Sequence, residues 1–196
     1  MKNNYKKKLC ACLGALMLSS VAIAETDELV LLPAFLDDTW EANAAFAVTT
    51  GYMDISSSVA GGGATYGFQL AFNCPVFTIP GKNVILQQID LNFYDNNGLE
   101  MTTLEINPHY FWSLSDEMRV GMGPGLGYIW TDKKNGRDPN LLAGQFGFAF
   151  EYRKEKLYAS FGSRYQWTES EKFYKGSDKK EDLDNLLTTF KVGYNF

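Results

Sequence analysis

From Trp40 onward, apolar residues alternate with small or polar ones in eight segments of the chain. The clearest segment lies between Met118 and Trp130, where every second residue is apolar and the positions between are mainly glycines, with Arg119 at the start. A period of two residues is typical of a β-strand whose two faces meet different environments. Each segment is long enough for a tilted membrane-spanning strand of about 9–11 residues. The pattern therefore predicts an all-β protein with eight antiparallel strands.

The connections between these segments alternate in length and polarity. Those after the first, third, fifth and seventh segments are mostly long and polar, as in residues 169–182, although DNNGLE at residues 95–100 is short. Those after the second, fourth and sixth segments are shorter and less polar overall, as in RKEK at residues 153–156. Long loops on one side and short turns on the other are typical of outer-membrane β-barrels. We therefore expect the long loops outside the cell and both termini in the periplasm.

The distribution of large side chains indicates that the apolar face is the outer one. The interior of an eight-stranded barrel is barely wide enough for side chains, and the aromatic residues of the apolar face would overfill it. Aromatic residues also gather near both ends of the segments, as Trp112 and Tyr194 do at one end and Tyr52 and Trp167 do at the other. Such paired girdles are typical of membrane barrels. The apolar face of the segments carries no Lys, Arg, Asp or Glu, so a transmembrane barrel is favoured over a soluble lipocalin-like barrel.

Two prolines interrupt the pattern on the apolar face. Pro108 and Pro124 lie in adjacent predicted strands, and each removes a hydrogen-bond donor from the β-ladder. We therefore expect a local bulge where the two strands meet.

The first 24 residues have the organisation of a secretory signal peptide. Lysines near the start precede an apolar run from Leu9 to Ile23, and Ala22-Ile23-Ala24 provides a small-residue cleavage site. We predict cleavage after Ala24, with an uncleaved anchor helix as the alternative. Residues 25–39 then form a periplasmic segment, for which a short helix, an extra strand and disorder are all open. Residues 40–196 form the barrel.

Composition and charge exclude several other classes of protein. The chain has 196 residues, 15% of them aromatic, and a formal net charge of −5. Its aromatic content excludes a disordered acidic chain, and nothing after residue 24 approaches the ~18 apolar residues of a transmembrane helix. Without the four lysines of the signal peptide, 14 basic residues stand against 23 acidic ones, so the net charge becomes −9. We therefore predict no nucleic-acid partner.

The end of the chain, TTFKVGYNF, alternates and finishes on Phe196, and this ending resembles the C-terminal signature of Gram-negative outer-membrane barrels. LEINPHYFW at residues 104–112, followed by the glycine-rich residues 118–130, resembles the small opacity-protein and outer-membrane-protein-A-like barrels. The resemblance covers residues 40–196. It implies an eight-stranded up-and-down barrel in the outer membrane, and recognition of the Phe196 strand by the outer-membrane assembly machinery. The peptidoglycan-binding domain of larger relatives is not expected, because the chain stops at Phe196.

Ionisable residues on the predicted inner face form the candidate functional site. They are Glu41, Asp90, Glu105, His109, Arg119, Glu151, Arg164 and Lys191. Charges inside a narrow barrel must be paired or hydrogen-bonded. We therefore expect a polar network that plugs the lumen and leaves at most the conductance of a minor porin. A structural polar core without gating is the alternative.

Lipid A-modifying barrels, either acyl transferases or deacylases, are the enzymatic alternative. A deacylase of this kind resembles a Ser-His hydrolase, but Ser163 is predicted to face outward while His109, the only histidine, faces inward. In the transferases the key residues lie near the extracellular rim, and His109 lies at the other end.

We therefore predict no catalytic site, metal or cofactor. The expected role is structural or in surface interaction, as a monomer in contact with outer-membrane lipid and lipopolysaccharide. The charged loop at residues 169–182 is the candidate for external contacts, and a solvated, mobile loop is the simpler expectation.

Overall fold

The structure is a computed structural model that describes residues 29–79 and 81–196. The predicted signal peptide and its cleavage site lie outside the described residues, as do the first four residues of the predicted periplasmic segment. No helix within the described residues is long and apolar enough to cross a membrane.

Eight long strands form a closed barrel, and a short strand pair and one short helix lie beside it. The elements are β1 (Val30–Leu31), α1 (Pro33–Leu36), β2 (Ala45–Ile55), β3 (Gly63–Asn73), β4 (Phe77–Thr78), β5 (Val84–Asn96), β6 (Leu99–Ser113), β7 (Met118–Lys133), β8 (Leu141–Lys154), β9 (Leu157–Thr168) and β10 (Asn185–Asn195). The barrel order is β10-β2-β3-β5-β6-β7-β8-β9, and every neighbouring pair is antiparallel. The predicted eight-stranded up-and-down barrel is therefore confirmed.

The first barrel strand begins later than the alternation predicts. The pattern places its start at Trp40, whereas β2 begins at Ala45. Asn43 adopts a positive φ of 43°, which breaks the extended backbone just before the strand. Asparagine tolerates this left-handed conformation better than most residues. The apparent alternation at residues 40–44 therefore belongs to the connection that leads into the barrel.

The two ends of the barrel differ in their connections. At the loop end, the strands are joined by residues 56–62, 97–98, 134–140 and 169–184, and at the turn end by residues 74–83, 114–117 and 155–156. The shortest connection of the loop end is a two-residue turn in which Asn97 and Gly98 have φ values of 52° and 69°. Asn-Gly is the preferred pair for a type I′ hairpin turn, so the predicted exception among the long loops is a tight hairpin.

Residues that precede the barrel pair with the first connection of the turn end. β1 is antiparallel to β4, with Val30 opposite Thr78 and Leu31 opposite Phe77. The helix α1 follows immediately. The described part of the predicted periplasmic segment therefore holds both an extra strand and a short helix.

Large apolar side chains cover the outer surface of the barrel wall. Exposed examples are Phe68, Leu126, Phe148 and Phe190, each more than 40% exposed. Outward-facing aromatic pairs lie near both ends of the strands: Tyr110–Trp112 toward the turn end, and Tyr128–Trp130 and Tyr165–Trp167 toward the loop end. Charged outward residues of the barrel strands occur only at strand ends, and they are Asp54, Asp95, Glu100, Asp132 and Lys154. The apolar face is therefore the outer one, as the sequence predicts.

The two strand prolines face each other across a gap in the β6–β7 ladder. Pairing stops after Ile106–Leu126 and resumes at Tyr110–Met122 in the same register, which places Pro108 opposite Pro124. No extra residue is inserted on either strand, so the predicted bulge is wrong and the irregularity is an interruption of pairing.

Candidate functional site

Glu105 and Arg164 form an ion pair across the lumen at mid-height. The two residues lie on β6 and β9, which are not neighbours in the barrel. The Arg164 guanidinium holds both Glu105 oxygens, with its Nε 2.7 Å from Oε2 and its Nη2 on Oε1. Asn92 and Gln145 each donate a further bond of 3.0 Å to this carboxylate. The fork-shaped guanidinium and the two amides therefore satisfy a carboxylate that is almost entirely buried.

Asp90 and Lys191 form a second cross-lumen pair. Lys191 Nζ lies 2.6 Å from Asp90 Oδ1. The other oxygen of Asp90 accepts bonds from Asn107 at 3.2 Å and from Gln69 at 3.3 Å. Asn107 is also 3.5 Å from Glu105 Oε2, so it links the two ion pairs. Four of the predicted site residues therefore belong to one connected network.

Uncharged amides extend this network, and the sequence did not single them out as site residues. Gln166 donates to Gln145 at 2.7 Å, and Asn185 donates to Gln166 at 3.0 Å. Arg164 Nη1 donates to Asn185 Oδ1 at 3.1 Å, which closes a ring of partners. In the sequence only their inward position in the alternation marks these residues, because uncharged amides do not stand out among the other polar residues of that face.

His109 borders a small cavity beside the network. The cavity has a volume of about 40 Å³, and its lining includes Gln88, Asn107, Gly147 and Lys191. His109 is 7% exposed, and neither its Nδ1 nor the Nε2 of Gln88 has a hydrogen-bond partner in the protein. A water molecule needs about 10–15 Å³ of such space, so the cavity is large enough to hydrate these groups.

Ser163, the candidate serine partner of His109, lies on a different face of the barrel wall. Ser163 lies on the outward face of β9, where its hydroxyl is 3.2 Å from that of Thr188. His109 lies on the inner face of β6 and packs on the ring of Phe111, with ring centroids 6.2 Å apart. Ser163 and His109 therefore stand on opposite faces of the wall.

A separate charged group lies near the turn end. Glu151 is fully buried, and Arg153 holds it with bonds of 3.0 and 3.3 Å. Arg153 also donates to the backbone carbonyl of Asn43 at 2.7 Å. Arg119 is directly opposite Glu151 in the β7–β8 register and is partly buried. The sequence assigned Arg153 to a turn, whereas β8 extends to Lys154, so this partner of Glu151 was missed.

Glu41 is the one predicted lumen residue that lies outside the barrel. It is exposed and precedes β2, and its backbone carbonyl accepts a 2.7 Å bond from the Asn73 amide. The prediction that Glu41 faces the lumen is wrong, because the strand begins four residues later.

At the loop end the inner face is apolar, which the sequence did not predict. One buried cluster at this end contains Phe173 together with Met53, Tyr94, Leu99, Met101, Ile129, Leu141, Leu183 and Leu187. Phe173 comes from the loop at residues 169–184 and is 0% exposed. The loop therefore inserts an aromatic side chain into the mouth of the barrel.

Backbone and side-chain bonds hold this loop in place. An isolated bridge joins Gly136 to Tyr174, and the Arg137 N–H donates to the Phe173 carbonyl at 3.0 Å. The Ser58 hydroxyl donates to Glu181 at 2.7 Å. Hydrogen bonds from Lys179 and Ser58 hold the pKa of Glu181 below its usual value of 4.5. Through Phe173 and Glu181 the loop packs on the barrel mouth and on two other loops of this end, while half of its residues are exposed.

In the parts of the chain that the structure describes, no three His, Cys, Asp or Glu side chains come together in a way that could hold a metal ion. Cys74, the cysteine within these residues, is buried and free.

Comparisons with known proteins identify similar folds. No protein-family model matches the chain, and no curated protein matches it in sequence. The crystal structure of Neisserial surface protein A is similar, with a TM-score of 0.56 and 13% identity, covering 79% of this chain and 98% of that one. The attachment invasion locus protein Ail of Yersinia pestis is also similar, with a TM-score of 0.53 and 8% identity, covering 80% of this chain and 100% of that one.

At these identities the likeness shows the fold alone. The closed antiparallel wall, its apolar exterior and its similarity to these structures nevertheless agree with the resemblance found in the sequence. The chain has the fold of the small eight-stranded outer-membrane β-barrels.

Proposed function

We propose that this protein is a monomeric outer-membrane barrel of a Gram-negative bacterium, with a closed lumen and a structural or surface-interaction role. One observation carries the proposal: the barrel is apolar outside and holds buried ion pairs inside. A barrel in water gains nothing from this arrangement, whereas lipid requires an apolar surface and complete internal pairing of the backbone.

The outward charges support a position for the bilayer. Asp95, Glu100 and Asp132 lie side by side on three neighbouring strands at the loop end, and Lys154 lies at the turn end. Between these limits, the outward residues are uncharged. Because a Lys or Arg at mid-bilayer costs about 2–4 kcal/mol, this band is the part of the wall that suits the hydrocarbon.

The difference in connection length between the two ends of the barrel indicates its orientation in the membrane. We place the loop end outside the cell, in contact with lipopolysaccharide, and the turn end in the periplasm. Phe196 is 78% exposed beyond β10, so its side chain is free to contact the outer-membrane assembly machinery that reads such endings.

Two internal plugs support a closed lumen. The polar network fills the middle of the barrel around Glu105 and Asp90, and the apolar cluster around Phe173 fills the loop end. The cavity of about 40 Å³ beside His109 has room for a few water molecules. At most, rare opening would give the small conductance of a minor porin.

Gel mobility and planar-bilayer recording test the two parts of this proposal. The unheated protein in detergent should migrate differently from the boiled protein, and refolding should require detergent or lipid. A mature protein that refolds in plain buffer would overturn the membrane location. Recordings should show no stable, large channels, and such channels would overturn the closed lumen.

Lipid A analysis tests the non-enzymatic role. Mass spectrometry of lipid A should give the same acyl pattern for cells that express the protein and for cells from which its gene has been deleted. A pattern that changes with expression would instead establish a lipid A acyl transferase or deacylase.

A further inference from the structure

The antiparallel pair of β1 and β4 lies with the short helix α1 at the turn end, and this small unit exposes many apolar side chains. We define the turn-end hairpin as residues 29–36 together with residues 76–78, which comprise β1, α1 and β4. Phe35 is 79% exposed, Leu36 is 75% exposed and Leu31 is 55% exposed. Leu29, Leu32 and Val76 are also exposed. Residues 29–36 have no charged or polar side chain, so this stretch offers water only its backbone.

Backbone hydrogen bonds within the turn-end hairpin satisfy three of its N–H groups. The N–H of Leu32 donates to the Val76 carbonyl at 2.8 Å, and the N–H groups of Phe35 and Leu36 donate to the Leu32 carbonyl at 3.0 and 3.1 Å. Pro33 has no N–H to satisfy. Paired backbone donors beneath exposed apolar side chains suit a medium that cannot supply hydrogen bonds.

The position of the turn-end hairpin indicates what covers it. It is joined to β2 through residues 37–44 and to β3 and β5 through residues 74–83, all at the turn end. The outward apolar wall ends there in the Tyr110–Trp112 pair, as an aromatic girdle does at a lipid headgroup boundary. Lipid at this boundary would cover the wall and the hairpin together.

We infer that the turn-end hairpin is an interfacial anchor that places Phe35, Leu36 and Leu31 in the lipid leaflet beside the turn end. This inference rests on the proposed membrane location of the barrel. Eight uncharged residues are too few to span a bilayer, and Asp37 and Asp38 follow directly, so the segment lies in the interface. The hairpin then adds lipid contact on one side of the barrel, below β3 and β5.

Spin-label accessibility measures this contact directly. Four variants each carry one cysteine for the spin label, and the native Cys10, Cys12 and Cys74 are replaced in all of them. The cysteine takes the place of Phe35, Asp116, Phe148 or Lys175. The labelled proteins are reconstituted in nanodiscs of dioleoylphosphatidylcholine, and power saturation compares collisions with apolar oxygen and with polar nickel chelate. Phe148→Cys marks the lipid-facing wall, and Lys175→Cys marks the loop end. Asp116→Cys is the matched control, because it is exposed at the same end as Phe35.

The label at Phe35→Cys should prefer oxygen, as the label at Phe148→Cys does, while those at Asp116→Cys and Lys175→Cys prefer the nickel chelate. A Phe35→Cys label that prefers nickel would show a surface left to water or to a periplasmic partner, and would overturn the anchor. Low accessibility to both reagents would show packing against protein and would also overturn it. If Phe148→Cys itself prefers nickel, the proposed membrane location fails instead.

Discussion

Each residue of the Glu105–Arg164 pair is needed to keep its partner's buried charge stable. Both side chains are largely removed from water, so each charge depends on the other and on the neighbouring amides. Removing one partner of a buried pair costs about 3–5 kcal/mol, because the remaining charge is left without compensation. Replacing both by neutral groups of similar volume is often nearly neutral. The two kinds of change therefore separate the role of charge from the role of volume.

We expect Arg164→Met to lower the free energy of unfolding by about 3–5 kcal/mol, because Glu105 loses its guanidinium. The double variant Glu105→Gln/Arg164→Met should recover most of this loss. Denaturant unfolding from lipid vesicles, followed by tryptophan fluorescence, measures both. Lys154→Met is the control, because the exposed Lys154–Glu117 pair is screened by water and should contribute little to stability. Equal losses for Arg164→Met and Lys154→Met would contradict this account.

Gly123 of β7 lets the β6 backbone approach closely at the gap between Pro108 and Pro124. A Cβ at Gly123 would overlap the Pro108 carbonyl, whereas a Cβ at Gly144 on β8 would meet nothing within 4 Å. Gly123→Ala should therefore lower the free energy of unfolding by about 1–3 kcal/mol through overpacking. Gly144→Ala should leave it nearly unchanged in the same unfolding experiment. A Gly123→Ala variant as stable as Gly144→Ala would show that the two strands can separate at no cost.

At the scale of elements, the loop at residues 169–184 behaves as a folded part of the barrel. Its central Phe173 is buried in the mouth, and Glu181 ties it to Ser58 in the first connection of the loop end. Lys179 also pairs with Glu181 at 2.8 Å. The carboxylate form of Glu181 is therefore the one that holds the loop.

This arrangement predicts a loop that loosens in acid. The pKa of Glu181 is held below its usual 4.5, first by Lys179 and then by Ser58. Its stabilising effect should be complete above about pH 4.5 and should fall as the pH drops through the lowered pKa. Hydrogen exchange should show the protection factors of the Glu171 and Glu181 amides falling in that range. Glu181→Gln should already be less protected at pH 7 and should lose this pH dependence, and an unchanged pH profile in the variant would assign the effect to other groups.

Alternation predicted the barrel strands well, because a wall with an apolar outer face and a packed inner face imposes a period of two along each strand. It failed where other physics decides. The positive φ of Asn43 ends the extended chain before Ala45, so Glu41 leaves the lumen. The burial of Phe173 depends on the conformation of a loop, which periodicity does not describe. Glu105 on β6 and Arg164 on β9 are separated by two strands, and their pairing depends on strand stagger. The sequence therefore predicted the charges but not their partners.

At the scale of the whole molecule, the lumen carries a charge opposite to that of the chain. The eight barrel strands, all of them described, have five basic residues on the inner face: Arg119, Lys133, Arg153, Arg164 and Lys191. The acidic residues there are Asp90, Glu105 and Glu151. The interior therefore has an excess of positive charge, although the chain is acidic overall. An ion that passes through such a narrow space meets this local charge rather than the net charge of the protein.

A barrel opened without changing this balance should therefore prefer anions. Combining Glu105→Ala with Arg164→Ala removes one charge of each sign from the polar network, and Phe173→Ser removes the aromatic ring from the barrel mouth. We expect this triple variant to show a small leak in planar bilayers, with a reversal potential in a potassium chloride gradient that indicates chloride preference. Adding Arg119→Glu near the turn end changes the inner charge by two units and should shift the reversal potential toward cation preference. A cation-selective leak before that change would contradict the argument, because the basic residues of the inner wall would then not face the path that ions take.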